Sequence, residues 1–206
     1  KLIANRIRQN VVRSVCRAKS GHTGGPLGFA DVFTALYFNV ARHDPQNPSW
    51  DGRDRIVLSH GHIAPVRYAA MAEAGYFPVA ELDSLRQLGT RLQGHPHHLD
   101  LPGLETTSGP LGQGLSQAAG MALAARMDGK KHFVYALTSD GEHDEGQIWE
   151  AVLFAAKYKL DHLVAVLDRN YIQIDGNTED IMPLDPVADK YRAFNWNVIE
   201  VDGHDF

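Results

Sequence analysis

The sequence predicts an α/β protein with a doubly wound, mostly parallel sheet and helices on both faces. Two apolar runs, His-Phe-Val-Tyr-Ala-Leu at 132–137 and His-Leu-Val-Ala-Val-Leu at 162–167, have the length and composition of strands buried on both faces. Residues 145–159 between them carry apolar side chains at helical spacing, which predicts a strand–helix–strand crossover. A helix starting near Pro186 and running through Tyr191, followed by a strand at 197–201, predicts a second crossover.

The first half of the chain predicts helices separated by segments rich in Gly, Pro and His. The helical patterns lie at about 2–18, 29–39, 62–74, 80–91 and 113–127. Cys16, the single cysteine, falls within the first pattern and is predicted to be a small buried side chain. The segments between the helices are expected to carry the binding residues, because loops on a rigid scaffold often do. We expect one domain, 1–206, with no linker.

Composition narrows the function classes. A net charge of -5 and 44% hydrophobic residues in 206 are typical of an ordinary globular protein. No basic stripe is present to supply the electrostatic attraction for nucleic acid. No apolar run approaches the roughly 18 residues that cross a bilayer, and no leader pattern opens the chain. These features predict a cytoplasmic enzyme that binds neither nucleic acid nor membrane.

The strongest local feature is Ser-Asp-Gly-Glu-His-Asp-Glu-Gly at 139–146, where a predicted strand meets the next helix. Ligands bind at such strand ends in open α/β sheets. Asp140 is expected at the strand end, and Gly141 lets the backbone approach a ligand closely. The helix start that follows favours an anion, so the segment suits a phosphate and a metal. His143 is expected to be solvated.

The next predicted strand also ends in polar residues, with Asn170 thirty positions after Asp140. A carboxylate and an amide oxygen, completed by a backbone carbonyl near Ile172, are hard ligands that suit Mg²⁺ or Ca²⁺. The alternative interpretation is structural: Asp140 caps a helix and Asn170 forms a turn.

Histidines beside glycines form a second feature. Imidazoles exchange protons near neutral pH and bond sugar hydroxyls, so several in one cleft suit carbohydrate chemistry. A zinc site is the competing interpretation, but no pair has metalloprotease spacing and the cysteine is distant in sequence. Each single histidine is otherwise an ordinary loop residue. The histidines concerned are His22, His60, His62, His95, His97 and His98.

The third feature is Thr-Thr-Ser-Gly-Pro-Leu-Gly-Gln-Gly at 106–114. Its glycine spacing differs from the dinucleotide fingerprint, no hydrophobic strand precedes it, and it contains a proline, all of which disfavours a nicotinamide site. Backbone packed closely against a ring or a phosphate fits this segment better.

Taken together and in order, these segments resemble the transketolase family from about residue 12 to residue 176. The resemblance implies the thiamine-diphosphate-binding fold. It also implies that Asp140, Asn170 and the Ile172 carbonyl bind the divalent ion holding the diphosphate of thiamine diphosphate. Gly141 and His62 would contact that diphosphate.

The same resemblance implies roles around the rest of the cofactor. Gly109 and Leu111 would line it near its aminopyrimidine, and His22 and His95 would face the sugar. Glu145 and Glu150 match family carboxylates near the subunit interface that link the two cofactors of a dimer through shared protons. As plain chemistry, Glu145 is a first-turn acid and Glu150 a helix-surface charge. The implied catalytic residues are therefore His22, His95 and Glu145, and Glu150 belongs to the cofactor site.

Three residues depart from the family pattern: Ser139 replaces a glycine, Thr23 stands where proline is common, and His60 where asparagine is common. They leave the substrate and the subfamily open. The glutamate that activates the aminopyrimidine lies, in the family, in a later domain of the partner protomer. We therefore expect an oligomer with a partner chain that supplies the later domains, and a binding domain that is incomplete at its C-terminal end.

The implied reaction transfers a two-carbon glycolaldehyde unit from a ketose phosphate to an aldose, in the pentose phosphate pathway. The alternatives are another thiamine-diphosphate enzyme, such as a deoxyxylulose-phosphate synthase, and a non-catalytic protein that retains the diphosphate site. The loops at 94–96 and 107–114 favour transketolase over the synthase.

Overall fold

The computed structural model describes residues 1–174 and 176–205. They divide into two compact units. The helical unit comprises Lys1–Asp54, Gly61–Gly109 and Asp202–Phe206, and the sheet unit comprises Arg55–His60 and Pro110–Val201. The expected single domain stays a prediction.

The helical unit is built around two long helices. Helix α1 is Leu2–Ala18, and it ends where Lys19 adopts a left-handed conformation at φ 51°. Two short helices follow, α2 (Gly24–Gly28) and α3 (Ala30–Ala35), the latter continuing as a π-helical turn at Leu36–Val40. A 3₁₀ turn, Gly61–Ile63, leads into α4 (Ala64–Glu73), which is buried from Ala64 through Ala72 and packs against α1.

Two predictions for this unit are wrong. The segment 80–91 is not an α-helix. It contains a 3₁₀ turn at Val79–Ser84, after which Arg86 (φ 59°) and Gly89 (φ 81°) adopt left-handed conformations that a right-handed helix excludes. Cys16 is exposed rather than buried. It follows Val15 by one position, about 100° around α1, and so lies off the buried face that contains Ile7 and Val11.

The sheet unit contains three parallel strands, β1 (Arg55–Leu58), β2 (Val134–Ser139) and β3 (Leu163–Asp168), in the order β1-β2-β3. The central strand β2 is buried throughout. Ser139 is in register with Asp168, so β2 and β3 end at the same edge of the sheet. The predicted α/β class with a parallel sheet is confirmed.

Among the residues that the structure describes, four helices complete the sheet unit. Helix α5 (Gln113–Met127) packs against β2 and against α6 (Gly146–Lys157), the helix of the predicted β2–β3 crossover. After β3 come a hairpin of β4 (Ile172–Gln173) and β5 (Gly176–Asn177), then α7 (Thr178–Ile181) and α8 (Val187–Ala193). Helix α8 confirms the helix predicted near Pro186. The core contains Val57, Leu115, Val134, Ala136, Ile148, Val152 and Leu163.

The predicted strand at 197–201 is wrong. Within the described residues this segment pairs with no strand, and Ile199 and Val201 are 75% and 79% exposed. The third parallel strand is instead β1, which the sequence analysis missed because its apolar run is three residues, Ile56 to Leu58. No helix among the described residues is long and apolar enough to span a membrane.

Candidate functional site

Asp140 follows β2 directly and its side chain is 1% exposed. Its Oδ1 accepts a hydrogen bond of 2.8 Å from the Gly141 amide. Its Oδ2 accepts from the Tyr171 amide at 2.8 Å and from the Thr178 hydroxyl at 3.3 Å. The carboxylate therefore ties the end of β2 to the segment that follows β3.

Asn170 lies in that segment, two residues beyond the end of β3. Its Oδ1 accepts from the Ile172 amide at 2.8 Å, and its Nδ2 donates to Asp168 at 3.0 Å. Tyr171, the next residue, has φ 63°, a conformation uncommon for a non-glycine residue and found preferentially at functional sites. The Tyr171 amide bond to Asp140 joins the ends of β2 and β3, whereas the side-chain bonds of Asn170 go to Asp168 and Ile172.

The donor set suits a hard divalent ion. Within the described residues no group of three or more His, Cys, Asp or Glu side chains could hold a metal. The side-chain oxygens at these strand ends are those of the Asp140 carboxylate and the Asn170 amide, to which a backbone carbonyl and a diphosphate would add their own. Mg²⁺ and Ca²⁺ prefer oxygen ligands of these kinds, so the residues fit the group that the sequence predicts.

Arg169, which the sequence analysis did not single out, also lies against Asp140. Its Nη1 is 3.1 Å from Asp140 Oδ2, and its Nη2 is 3.1 Å from Asp185 Oδ1 and bonded to Glu179. The guanidinium carbon lies 3.9 Å from the centre of the Tyr171 ring.

Glu142 is a second site residue missed from the sequence. It is fully buried and accepts three hydrogen bonds, from the Ser59 hydroxyl (2.8 Å), the Gly112 amide (2.9 Å) and the Ser139 amide (3.0 Å). Burial raises the pKa of Glu142, although these three donors act to lower it. The carboxyl group links β1, the loop before α5, and the end of β2.

His143 was predicted to be solvated, and this is wrong, because it is 1% exposed. Its Nδ1 lies 2.7 Å from the Ser139 carbonyl oxygen and its Nε2 2.8 Å from the Tyr191 hydroxyl. Because a carbonyl can only accept, Nδ1 carries the hydrogen and Nε2 accepts from Tyr191. Burial lowers the pKa of His143 to about 4, so the ring is neutral at pH 7.

The loop before α5 approaches the start of α6 closely. Gly112 has φ 82°, and a Cβ there would lie 2.7 Å from the Cβ of Glu145. Leu111 is 37% exposed. Glu145 and Glu150 are both exposed, and the Glu145 side chain makes no capping bond at the start of α6. Both carboxylates are accessible to a neighbouring molecule.

In the helical unit, three of the predicted histidines converge. The His22 and His62 rings are 5.0 Å apart, and the His95 ring lies against Gly109, where a Cβ would be 3.6 Å from it. Burial, followed by the charges of His22 and His95, lowers the pKa of His62 to about 4. Burial, followed by His22 and Arg86, lowers the pKa of His95. The His62 and His95 rings can therefore donate and accept hydrogen bonds as neutral imidazoles.

Gly61 fixes the turn that carries His62. A Cβ at this position would lie 2.4 Å from the Ser108 hydroxyl oxygen and 2.9 Å from the Gly109 amide nitrogen. Only glycine allows the two backbone segments to approach this closely.

An open cavity of about 650 Å³ lies beside His95, lined also by Arg86, Gln93, Gly94, Pro96, His97, Asp100, Thr107 and Ser108.

The remaining histidines make other contacts. His60, in the sheet unit, is buried with Nδ1 3.0 Å from the Leu137 carbonyl oxygen. His97 lies 3.3 Å from Asp100, and His98 bonds the Thr107 hydroxyl. Nothing in the described residues supports the competing zinc interpretation, since none of these histidines belongs to a potential metal cluster.

The parallel sheet, with polar residues at the carboxyl ends of β2 and β3, has the architecture of an α/β domain that binds a diphosphate cofactor. A sequence profile described as "Transketolase, thiamine diphosphate binding domain" matches residues 1–206. The chain therefore belongs to the transketolase family, as the sequence resemblance implied.

Named relatives are of two lengths. The 6-deoxy-6-sulfo-D-fructose transketolase subunit SqwG of Clostridium sp. (strain MSTE9) is 49% identical over 98% of this chain and 73% of its own length. An apulose-4-phosphate transketolase subunit of Phocaeicola vulgatus is 42% identical over 98% of this chain and 72% of its own. Transketolase 1 of Escherichia coli is 42% identical, and there the chain spans 33% of the longer protein.

Solved transketolases share the fold. The Leishmania mexicana enzyme superposes with a TM-score of 0.91 at 38% identity, and the Campylobacter jejuni enzyme with 0.92 at 34% identity. The comparisons cover 97% and 98% of this chain but 31% and 33% of those chains. The chain thus spans about a third of a solved transketolase.

Proposed function

We propose that this chain is the thiamine-diphosphate-binding component of a transketolase, active together with a partner chain. The observation that carries the proposal is the buried Asp140 carboxylate at the end of β2, onto which the backbone of the segment after β3 is hydrogen-bonded. Asp140 lies at the carboxyl edge of the parallel strands, which is where open α/β sheets bind ligands.

Asp140, Asn170 and the Ile172 carbonyl would hold Mg²⁺ or Ca²⁺, and the Gly141 backbone and His62 would contact the diphosphate. The cofactor, when bound, supplies a nucleophilic carbon that cleaves the bond beside a ketone. This chain would supply charge and position: the ion-binding residues would hold the diphosphate, and Gly109 and Leu111 would line the cofactor near its aminopyrimidine. A fixed geometry lowers the barrier without any residue taking part in bond formation.

His22 and His95 would bond the hydroxyls of a sugar phosphate. The His22 ring lies 5.0 Å from the His62 ring and the His95 ring lies against Gly109, which supports this because several ring nitrogens then lie close together. Neutral imidazoles can also relay protons during the transfer of a two-carbon unit. Two of the relatives are named for a sulfo-sugar and a phospho-sugar, which supports an anionic sugar as the substrate class.

The partner chain would supply the aminopyrimidine-activating glutamate and the later domains. Two of the shorter relatives are named as transketolase subunits, which supports this arrangement. The exposed Glu145 and Glu150 are available for the interface of a homo- or hetero-oligomer. We place the complete enzyme in the cytoplasm, in carbohydrate metabolism of the pentose phosphate type.

Calorimetry with thiamine diphosphate and Mg²⁺ tests the proposal. The chain alone should bind weakly, and the chain with its partner should bind tightly. Asp140→Ala should abolish binding, while Asp144→Asn, an exposed change in the same loop, should leave it intact. Tight binding by the chain alone would contradict the need for a partner.

A second variant separates binding from turnover. His95→Ala should leave cofactor affinity in the reconstituted pair intact and slow turnover on a panel of ketose phosphates by about 10²–10⁴-fold, the usual contribution of one proton-transferring group. Loss of cofactor binding in this variant, with retention in Asp140→Ala, would overturn the assigned roles. Tight binding without turnover on any donor would favour a non-catalytic protein.

A further inference from the structure

Arg169 occupies an unusual position in the sheet unit, between the last residue of β3 and the proposed ligand Asn170. Its side chain is 15% exposed and contacts three carboxylates, those of Asp140, Glu179 and Asp185. The guanidinium also lies over the Tyr171 ring, at 3.9 Å from the ring centre to the guanidinium carbon. The planar fork of arginine suits such multiple contacts.

The buried Asp140 carboxylate requires compensation for its lost hydration. Taking an ionised carboxylate out of water is unfavourable unless hydrogen bonds and an opposite charge replace the water. Two amides and a hydroxyl supply hydrogen bonds to Asp140, and Arg169 supplies the positive charge at 3.1 Å. A divalent ion bound to the same carboxylate would supply charge of the same sign.

We infer that Arg169 is a positioning residue that takes the place of the ion in the metal-free protein. It holds Asp140 and residues 170–172 in the geometry that the ion later needs. The inference rests on the proposed function, because it assigns the ion to Asp140. It concerns how well ordered residues 170–172 are before any cofactor binds.

The same contacts allow the ion to enter. Glu179 and Asp185 can keep their contacts with the guanidinium when Asp140 binds a metal ion, so the Arg169 side chain stays out of solvent. Three carboxylates and one guanidinium leave this group of four side chains with an excess of two negative charges. A divalent cation is therefore attracted although a cation is already present.

Hydrogen exchange measured by mass spectrometry on the full chain in EDTA tests the inference. In Arg169→Met, which keeps an unbranched apolar stem but removes the charge and the guanidinium, the segment 169–182 should exchange about tenfold faster or more, as expected when a buried ion pair loses one partner. Arg169→Lys, which keeps the charge without the fork, should be intermediate. Arg192→Met is the matched control, since exposed Arg192 pairs with Asp189 and Glu200.

The residues of β2 serve as an internal reference for global unfolding. Fast exchange limited to 169–182 supports the inference, and exchange equal to that of the unaltered chain overturns it. If Arg169→Met unfolds as a whole, Arg169→Lys decides by the same criterion.

Addition of Mg²⁺ alone gives the second readout. Mg²⁺ should restore protection in Arg169→Met and change the unaltered chain little; equal protection of both by Mg²⁺ overturns the inference. If Mg²⁺ affects neither protein while the difference in EDTA persists, the ordering role of Arg169 stands and the proposed ion site fails. The two proposals are thereby tested separately.

Discussion

The Ser59 hydroxyl at the end of β1 donates a 2.8 Å hydrogen bond to the fully buried Glu142 carboxylate beyond β2. The same hydroxyl accepts a 3.0 Å bond from the Gly114 amide at the start of α5. A single serine thus connects two strand ends and a helix start. Such a network is stable because every buried polar group in it has a partner.

Ser59→Ala should destabilise the protein by about 1–3 kcal/mol, because the buried Gly114 amide loses its partner and Glu142 Oε2 keeps only its bond from the Gly112 amide. Urea unfolding followed by circular dichroism measures this change. Ser49→Ala is the control, since Ser49 is exposed and bonds the exposed Asn47; its effect should stay within about 0.5 kcal/mol. Equal effects of the two variants would contradict the role of the network.

Gly61→Ala should also destabilise, by about 1–3 kcal/mol, since the added methyl would clash with the Ser108 hydroxyl and the Gly109 backbone. Gly120→Ala is the matched control: Gly120 lies within α5 with nothing within 4 Å of a Cβ, so alanine should stabilise by up to about 1 kcal/mol. Unfolding midpoints of both variants check the opposite signs. Two changes of the same sign would contradict the close approach at Gly61.

The strands of the sheet unit show which parts of the fold the sequence could predict. Val134–Ser139 and Leu163–Asp168 are long apolar runs, so β2 and β3 were identified with their crossover helix. The apolar run in β1 is shorter than the strand pattern predicted at residues 197–201, yet β1 is the segment that pairs with β2. Strand formation depends on a neighbour, and a local pattern contains no information about which segment will find one.

The candidate site shows the same limit at the level of side chains. Asp140 and Asn170 were predicted to be ligands because strand ends and hard oxygen ligands are local features, and their role stays a prediction. Glu142, His143 and Arg169 are polar residues in loops, which ordinarily indicates solvent exposure. Their burial follows from contacts with distant residues: Ser59 for Glu142, Tyr191 for His143, and Asp140 for Arg169.

His143 should make stability fall in mild acid. Burial lowers its pKa from 6.5 in the unfolded chain to about 4 in the folded protein, so protonation favours unfolding between these values. The contribution is fully present above pH 6.5 and declines as the pH falls to 4, by roughly 3 kcal/mol at most for a shift of this size.

His143→Asn keeps a donor for the Ser139 carbonyl but does not titrate in this range. Urea unfolding of the metal-free protein at several values of pH between 4 and 7 should therefore show a shallower decline for the variant than for the unaltered chain. Parallel curves would mean that His143 does not remain neutral in the folded protein.

His62 should titrate well below an ordinary histidine. Burial, and then the positive charges that His22 and His95 acquire on protonation, lower its pKa to about 4. Proton NMR of the His62 ring should show a midpoint near this value, and His22→Ala or His95→Ala should raise it. Because burial is the larger cause, neither variant should restore the usual 6.5. His98→Ala, which removes an exposed ring bonded to Thr107, is the control and should leave the midpoint unchanged. A midpoint near 6.5 in the unaltered chain would mean that His62 is solvated, and a neutral imidazole could then no longer be assumed at the proposed diphosphate contact.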